Sequence, residues 1–217
     1  MSPPSILYKY RSLAGESFRY TQEVFAKKRL YLPTREQLND PAEGAYRLKL
    51  KLSRSQDGIG YIAPESPLRY ASARTLSLSA NPKHPLMWTH YANSHCGICI
   101  GIRRSYLEQF GELQSVRYSK RVPKFLPNDT NRVKLGKPFL SKASDWEYEQ
   151  EWRIIRSDGV RFFEFPIEAI ATIILGYRLS NDDREWVMHW RNSSGCTATI
   201  KRASLSGHAA KMHLSSC

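Results

Sequence analysis

The sequence predicts a single α+β domain, with a split or mixed, mainly antiparallel sheet and a few flanking helices. Short runs rich in aromatic and β-branched residues, alternating in polarity, recur along the 217-residue chain, most cleanly at 6–11 and 75–79; that period of two marks half-buried strands. Segments with the 3.6-residue period of an amphipathic helix are few and short. A hydrophobic content of 41% with 12% aromatic residues is enough for a packed core and excludes disorder over most of the length. A chain of this size can bury one full core, so residues 1–203 are expected to form the domain and 204–217 a frayed basic tail.

Taken in order, Ile6–Arg11 reads as the first strand, with Tyr8 and Tyr10 on one face and Lys9 and Arg11 on the other. Ser17–Lys28 reads as a helix, its apolar positions filled by Phe18, Val24 and Phe25 and its last turn by Lys27 and Lys28, where the dipole favours cations. Arg29–Leu32 makes a second strand. Thr34 and Gln37 have the spacing of a capping box for a one-turn helix. Asn39-Asp40-Pro41 then turns the chain, because Asn and Asp bond their own backbone and a residue before proline is pushed out of α space. Asn39, Asp40 and Glu43 would face whatever the strands enclose. Residues 46–75 read as a helical or irregular excursion over 46–54 followed by a loop.

Thr75–Ser79 is a strand, Leu86–Asn93 a short helix carrying His90 and Tyr91, and Gly97–Ile102 a second β-run. Ser105–Phe110 reads as a brief helix and Gln114–Tyr118 as a strand. A basic loop broken by prolines spans 120–137 and carries Lys120, Arg121 and Lys124. Gly159 marks a hairpin that returns through Phe162–Phe165, and Ile167–Leu175 is part helical turn and part buried strand. Asp182–Trp190 is a helix opened by Ser180-Asn181-Asp182-Asp183, and Thr197–Lys201 is read as the last strand.

The formal charge is +13, from 33 Lys and Arg against 20 Asp and Glu. Such a field attracts polyanions: nucleic acid, a dinucleotide cofactor or an anionic surface. No early run resembles a secretory h-region and no apolar stretch approaches spanning length, so a cytoplasmic protein without a membrane partner is expected. Cys96 and Cys99 form a Cys-x-x-Cys pair inside a β-run, and Cys196 and Cys217 lack the spacing of a second zinc knuckle. Buried thiols are expected there, and no metal.

Chemistry concentrates in Trp146–Ile155. Read as a strand from Tyr148 onward, the stretch places Glu147, Glu149, Glu151 and Arg153 on one face and Trp146, Tyr148, Trp152 and Ile154 on the other. Like charges repel on a sheet, so folding alone would not select three carboxylates there. Either this is a solvated outer strand with Arg153 as counter-ion, or it is a site that holds a hydroxyl or a developing cation.

The ordered set Leu7-Tyr-Lys-Tyr-Arg11, Leu38-Asn-Asp-Pro-x-Glu43, Leu86-Met-Trp-x-His-Tyr-Ala92, Val116-x-Tyr118 and Lys142-x-x-x-Trp-x-Tyr-Glu-x-Glu-Trp-Arg153 resembles a widespread bacterial domain family of unknown function. A first strand ending in Tyr-Arg, a helix, a strand and a late Glu-x-Glu stretch are also similar to the split-sheet ADP-ribosyltransferase fold. That second resemblance implies NAD as cofactor and a transferase role in a toxin or phage-defence setting, acting on nucleic acid or protein. It implies Glu151 as the carboxylate that stabilises the cation left as nicotinamide departs, with Glu149 orienting the acceptor or the two exchanged, and His90 is the third catalytic candidate. Lys9, Tyr10 and Arg11 would hold the cofactor, Tyr91 would stack on nicotinamide, Asn39 would add a polar contact, and Ser79 or Ser77 would stand for the middle serine. Lys120, Arg121, Lys124, Lys142 and Arg153 would contact the acceptor or nucleic acid. The competing expectation is a nucleic-acid-binding module or a metal-dependent nuclease, with His90, Asp40, Glu149 and Glu151 gathering a divalent ion.

Overall fold

The computed structural model of the chain describes residues 4–40, 47–48, 51–55, 58–62, 73–121, 124–125, 139–206 and 211–216. The elements, in chain order, are β1 (Ile6–Arg11), α1 (Glu16–Ala26), β2 (Arg29–Tyr31), β3 (Arg47–Leu48), β4 (Lys51–Ser55), β5 (Gly58–Ile62), β6 (Arg74–Ser79), α2 (Pro85–Tyr91), β7 (Ile98–Arg103) and α3 (Arg104–Phe110). There follow β8 (Gln114–Ser115), β9 (Arg117–Ser119), β10 (Lys124–Phe125), β11 (Ser141–Ala143), β12 (Glu151–Arg156), β13 (Phe162–Glu164), β14 (Ile170–Leu175), α4 (Asn181–Ser193), β15 (Thr199–Leu205) and β16 (Met212–Ser216). Short 3₁₀ turns occupy Arg35–Gln37, Ser144–Glu149 and Ile167–Ala169.

Eight strands form one open sheet in the order β16-β15-β14-β7-β1-β6-β12-β8. It is antiparallel except between β14 and β15. The period-two pattern sorts its side chains into two cores. On one face Leu7, Leu76, Leu78, Ile98, Ile100, Ile102, Ile154 and Ile173 pack under Val24 and Phe25 of α1, Leu107 of α3 and Val187 and Trp190 of α4. On the other, Tyr10, Cys99, Ile174 and Ala203 pack under Met87, Trp88 and Ala92 from α2 and its end. The α+β class and the mainly antiparallel sheet therefore follow from the alternation read in the sequence.

Several boundaries differ from the expectation. The carboxylate strand begins at Glu151 and not at Tyr148: Ser144–Glu149 is a 3₁₀ turn, closed by Gln150 in the left-handed region at φ 45. β13 pairs with β2, Phe162 opposite Tyr31, and not with β12 as a local hairpin. Residues 51–55 and 58–62, expected as helix or loop, are the antiparallel pair β4 and β5. The end of the chain is not frayed over 212–216, because β16 pairs with β15 from Leu205↔Met212 to Lys201↔Ser216. Cys99 is a buried strand thiol as expected, while Cys96 sits before β7 in a turn and is half-buried.

The feature that makes the site is a seam in the sheet. β1 meets β7 over its full length, from Ile6↔Arg103 to Arg11↔Ile98, but pairs with β6 only at Tyr8↔Ser79. Beyond that point Lys9 Nζ donates to the Ser77 carbonyl at 2.9 Å, so a side chain satisfies an acceptor that a neighbouring strand would otherwise take.

Candidate functional site

The floor of the site is set by strand register. Glu151 lies opposite Ser79 and Arg153 opposite Ser77, so both rise beside the seam while Trp152 and Ile154 enter the core behind them. Residues two apart on a strand are neighbours on one face, and Arg153 uses this to fork onto Glu151, Nε to Oε1 and Nη2 to Oε2, both at 2.7 Å. Its Nη1 donates to the Phe139 carbonyl at 2.6 Å. Lys142 of β11 then bridges the two carboxylates, its Nζ at 2.6 Å from Glu149 Oε2 and 3.0 Å from Glu151 Oε2. Glu149 Oε1 accepts from the Tyr91 hydroxyl at 2.5 Å, and Asn39 Nδ2 donates to that same hydroxyl oxygen at 2.6 Å.

One polar chain thus runs from exposed Asn39 through Tyr91, Glu149, Lys142 and Glu151 to Arg153. The last four are 2%, 6%, 6% and 1% exposed. The change from 3₁₀ turn to strand between Glu149 and Glu151 is pinned from three sides. Ser79 Oγ donates to the Glu149 carbonyl at 2.6 Å, Ala80 N–H donates to the Gln150 carbonyl at 2.9 Å, and Glu151 N–H donates to the Tyr118 hydroxyl at 2.8 Å. The left-handed Gln150 keeps both carboxylates on the seam side although the chain changes conformation between them.

Above this floor lies a cavity of about 210 Å³, walled by Tyr8, Lys9 and Tyr10 of β1, roofed by Gln37, Leu38 and Asn39, and closed by Met87 and Tyr91 of α2. Burial pushes the Lys9 ammonium down to about 8, with Arg11 adding to the effect and Glu151 opposing it. Burial and the Glu149 carboxylate raise the Tyr91 phenol, which therefore stays a neutral donor. Burial also raises the Glu151 carboxyl against the pull of Lys142. For Lys142 burial works downward, but Glu151 and Glu149 outweigh it and its ammonium is held above the ordinary lysine value. Arg153 is pushed down by burial and supported by Asp40; a guanidinium forked onto a carboxylate remains charged. Two carboxylates are balanced by Lys142 and Arg153, and Lys9 adds a further positive charge at the cavity wall.

Of the residues expected to form a site, Lys9, Tyr10, Asn39, Ser79, Tyr91, Lys142, Glu149, Glu151 and Arg153 line this one cavity. Arg11 does not: its Nε donates to Thr21 Oγ1 at 3.2 Å, against α1. His90 is exposed on α2 beside Tyr91 and Tyr148 and does not line the cavity; on a helix adjacent residues point about 100° apart, so Tyr91 enters and His90 leaves. Lys142 and Arg153, expected as contacts to acceptor or nucleic acid, are instead buried partners of the two glutamates. Lys120 and Arg121 are exposed outside the cavity. Lys124 has its backbone in β10, while its side chain and all of Glu43 lie outside the described residues.

The hydroxyls of Ser79 and Tyr10 are both engaged by the fold, Tyr10 donating to the Asn81 carbonyl at 2.7 Å. Sequence reasoning missed Tyr8, Gln37, Met87 and Tyr118. Of these, Tyr8 could have been found from its place two residues before Tyr10 on the same strand face. Among the described residues no three His, Cys, Asp or Glu side chains gather as metal ligands, and Lys142 and Arg153 occupy three of the four carboxylate oxygens of Glu149 and Glu151. No helix among those residues is long and apolar enough to cross a membrane.

No curated protein and no solved structure matches the chain. A family model does, over residues 87–154. That stretch runs from α2 into β12 and carries Tyr91, Tyr118, Lys142, Glu149, Glu151 and Arg153, which is the charged floor of the cavity and one wall of it. Over those residues the chain is similar to a domain family described as Protein of unknown function (DUF2971).

Proposed function

We propose that the seam cavity binds NAD and that the protein transfers ADP-ribose from it. The observation that carries this reading is the placing of two buried carboxylates, Glu149 and Glu151, under Tyr91 at the floor of a cleft between parted strands. A cavity volume of about 210 Å³ is below the ~300–1,000 Å³ of a site that swallows a whole drug-sized ligand. It suits the nicotinamide-ribose end, with the phosphates meeting Lys9 and the adenosine half outside.

In this reading Glu149 is the acting carboxylate and Glu151 a positioning residue, the reverse of the order the resemblance implies first. Both oxygens of Glu151 are held by the Arg153 fork, whereas Glu149 Oε1 is held only by a neutral hydroxyl. A ribose hydroxyl can replace Tyr91 as donor to that oxygen. The bond between the ribose anomeric carbon and the nicotinamide nitrogen then breaks, and nicotinamide leaves with the bonding pair. The fixed Glu149 anion stabilises the oxocarbenium ion that remains. An acceptor oxygen or nitrogen forms the new bond and releases its proton to a carboxylate or to water.

Glu149→Gln is expected to cut nicotinamide release from labelled NAD by roughly 10²–10³-fold while NAD still binds by calorimetry. Glu151→Gln should lose less activity and more thermal stability, because it leaves Arg153 and Lys142 short of a buried counter-charge. Wild-type protein that neither binds nor turns over NAD would sink the proposal. The full neutralisation of Glu151 favours a second reading, a nucleotide-sensing pocket without chemistry, and NAD binding with no turnover in the wild type would select it.

A further inference from the structure

We infer that the outer face of the β2–β13 pair is a docking strip for single-stranded nucleic acid, leading to the cavity mouth. It names an acceptor class for the transferase reading above, yet it stands on different residues. Leu30 and Phe163 of this two-stranded sheet are buried in the core, so the alternate positions Tyr31 and Phe162 face outward. Tyr31 is 41% exposed. Phe162 is half-buried, and the two rings lie opposite one another with centroids 5.7 Å apart.

Planar cations flank both rings. The Arg29 guanidinium lies 3.9 Å from the Phe162 centroid, and that of Arg74 lies 5.5 Å from the Tyr31 centroid. Among the described residues, Glu23 holds Arg29 and Lys27, and Glu164 lies opposite Arg29 in register. Arg74 donates to neutral groups, the Tyr31 hydroxyl and the Leu32 carbonyl, each at 2.9 Å. Arg161 is near enough for its charge to act on the Tyr31 phenol. Rings and guanidinium planes stack on unpaired bases, and cations that lack a carboxylate partner take phosphates. A duplex keeps its bases stacked and offers such a strip only its backbone, so the fit is to a single strand.

The strip also has a direction. The Tyr31 hydroxyl donates to Gln37 Oε1 at 2.9 Å, and Gln37 lines the cavity beside Leu38 and Asn39. A strand stacked on Tyr31 and Phe162 would pass a nucleotide to the rim of the site.

The test is fluorescence anisotropy with short labelled RNA and DNA oligonucleotides of mixed sequence, single-stranded and duplex, in the absence of NAD. Wild type should bind single strands more tightly than duplex. The double variant Tyr31→Ala/Phe162→Ala should weaken single-strand binding about tenfold or more, and Tyr31→Trp, which keeps a stacking ring, should retain it. Arg74→Ala should reduce the slope of log affinity against log salt by about 0.7. Glu149→Gln should bind like wild type, so failure of the NAD chemistry and failure of this strip are read separately. Undiminished binding by the double alanine variant would overturn the inference, as would a Lys120→Ala/Arg121→Ala variant that alone loses binding or an equal affinity for duplex.

Discussion

Lys9 projects from β1 into the seam, where burial and Arg11 push its ammonium down to about 8. Between that value and the ordinary lysine value of about 10.4, the unfolded chain holds a proton that the folded chain has lost. Stability from this group therefore rises with pH across that window, and below it the cost of a buried ammonium is present in full. Lys9→Met removes that cost but leaves the Ser77 carbonyl without its donor, so its stability relative to wild type is expected to be roughly 1–3 kcal/mol higher at pH 7 than above about pH 10.4. The same change should remove affinity for phosphate-bearing ligands, and wild-type affinity should itself fall as pH rises through about 8. Thermal denaturation at neutral and alkaline pH, with calorimetric titration of NAD, checks both. A Lys9→Met protein whose stability relative to wild type does not fall as pH rises through this window, or that binds as before, refutes the assignment. At this scale the sequence was legible where a strand's alternation did the sorting, as for Glu151 and Arg153. It misled for Lys142, because isolated lysines are usually solvated and its partners Glu149 and Glu151 are turned back onto it by the 3₁₀ turn that follows β11, which leaves no period in the sequence.

The segment from Ser144 to Arg156 shows what a pattern of elements can and cannot carry. Trp146-Glu147-Tyr148-Glu149 alternates aromatic and acidic residues as a strand does, and a six-residue 3₁₀ turn is too short to impose a competing period. The decisive feature is Gln150 at φ 45, which leaves no signature in a single sequence. The strongly periodic elements β1, β6 and β7 were legible, and so was α4, whose Ser180 Oγ accepts from Asp183 N–H at 3.1 Å. The capping box of Thr34 and Gln37 is formed as its spacing predicts. Gly159 points β13 to a local hairpin, while its partner β2 lies more than a hundred residues away in the chain. The left-handed Gln150 costs about 1–2 kcal/mol relative to a relaxed residue, and glycine would lift that cost while adding some unfolded-state freedom. Gln150→Gly should therefore gain about 0.5–1 kcal/mol, a rise of about 1–4 °C in melting temperature. Calorimetry of the two proteins measures this directly, and a lower melting temperature in the glycine variant would mean that the side chain, and not the backbone, governs this position.

For the whole molecule the seam divides one sheet into a five-strand part ending at β1 and a three-strand part starting at β6, joined in the ladder at Tyr8↔Ser79. The core behind it, with Leu7, Leu76 and Leu78 in one cluster, holds the two parts together from a single face. The seam itself is spanned by side chains: Lys9 to the Ser77 carbonyl, and Tyr10 to the Asn81 carbonyl. Backbone groups that lack a strand partner open at lower free energy than those in a continuous ladder. Amides of β1 and β6 that face the seam should accordingly exchange with deuterium faster than those between β1 and β7. A ligand seated on Lys9 from one part and on Glu149 beside the other would cross-link them. At a hundredfold excess over its dissociation constant NAD would add about 2.7 kcal/mol, and the gain in protection should fall along the seam. A single-stranded oligonucleotide should instead protect β2 and β13, which form a separate two-stranded sheet and do not cross the seam. Protection by NAD confined to the exposed Lys120–Arg121 segment, with the seam unchanged, would place its binding on the general +13 charge and remove the cavity from the mechanism.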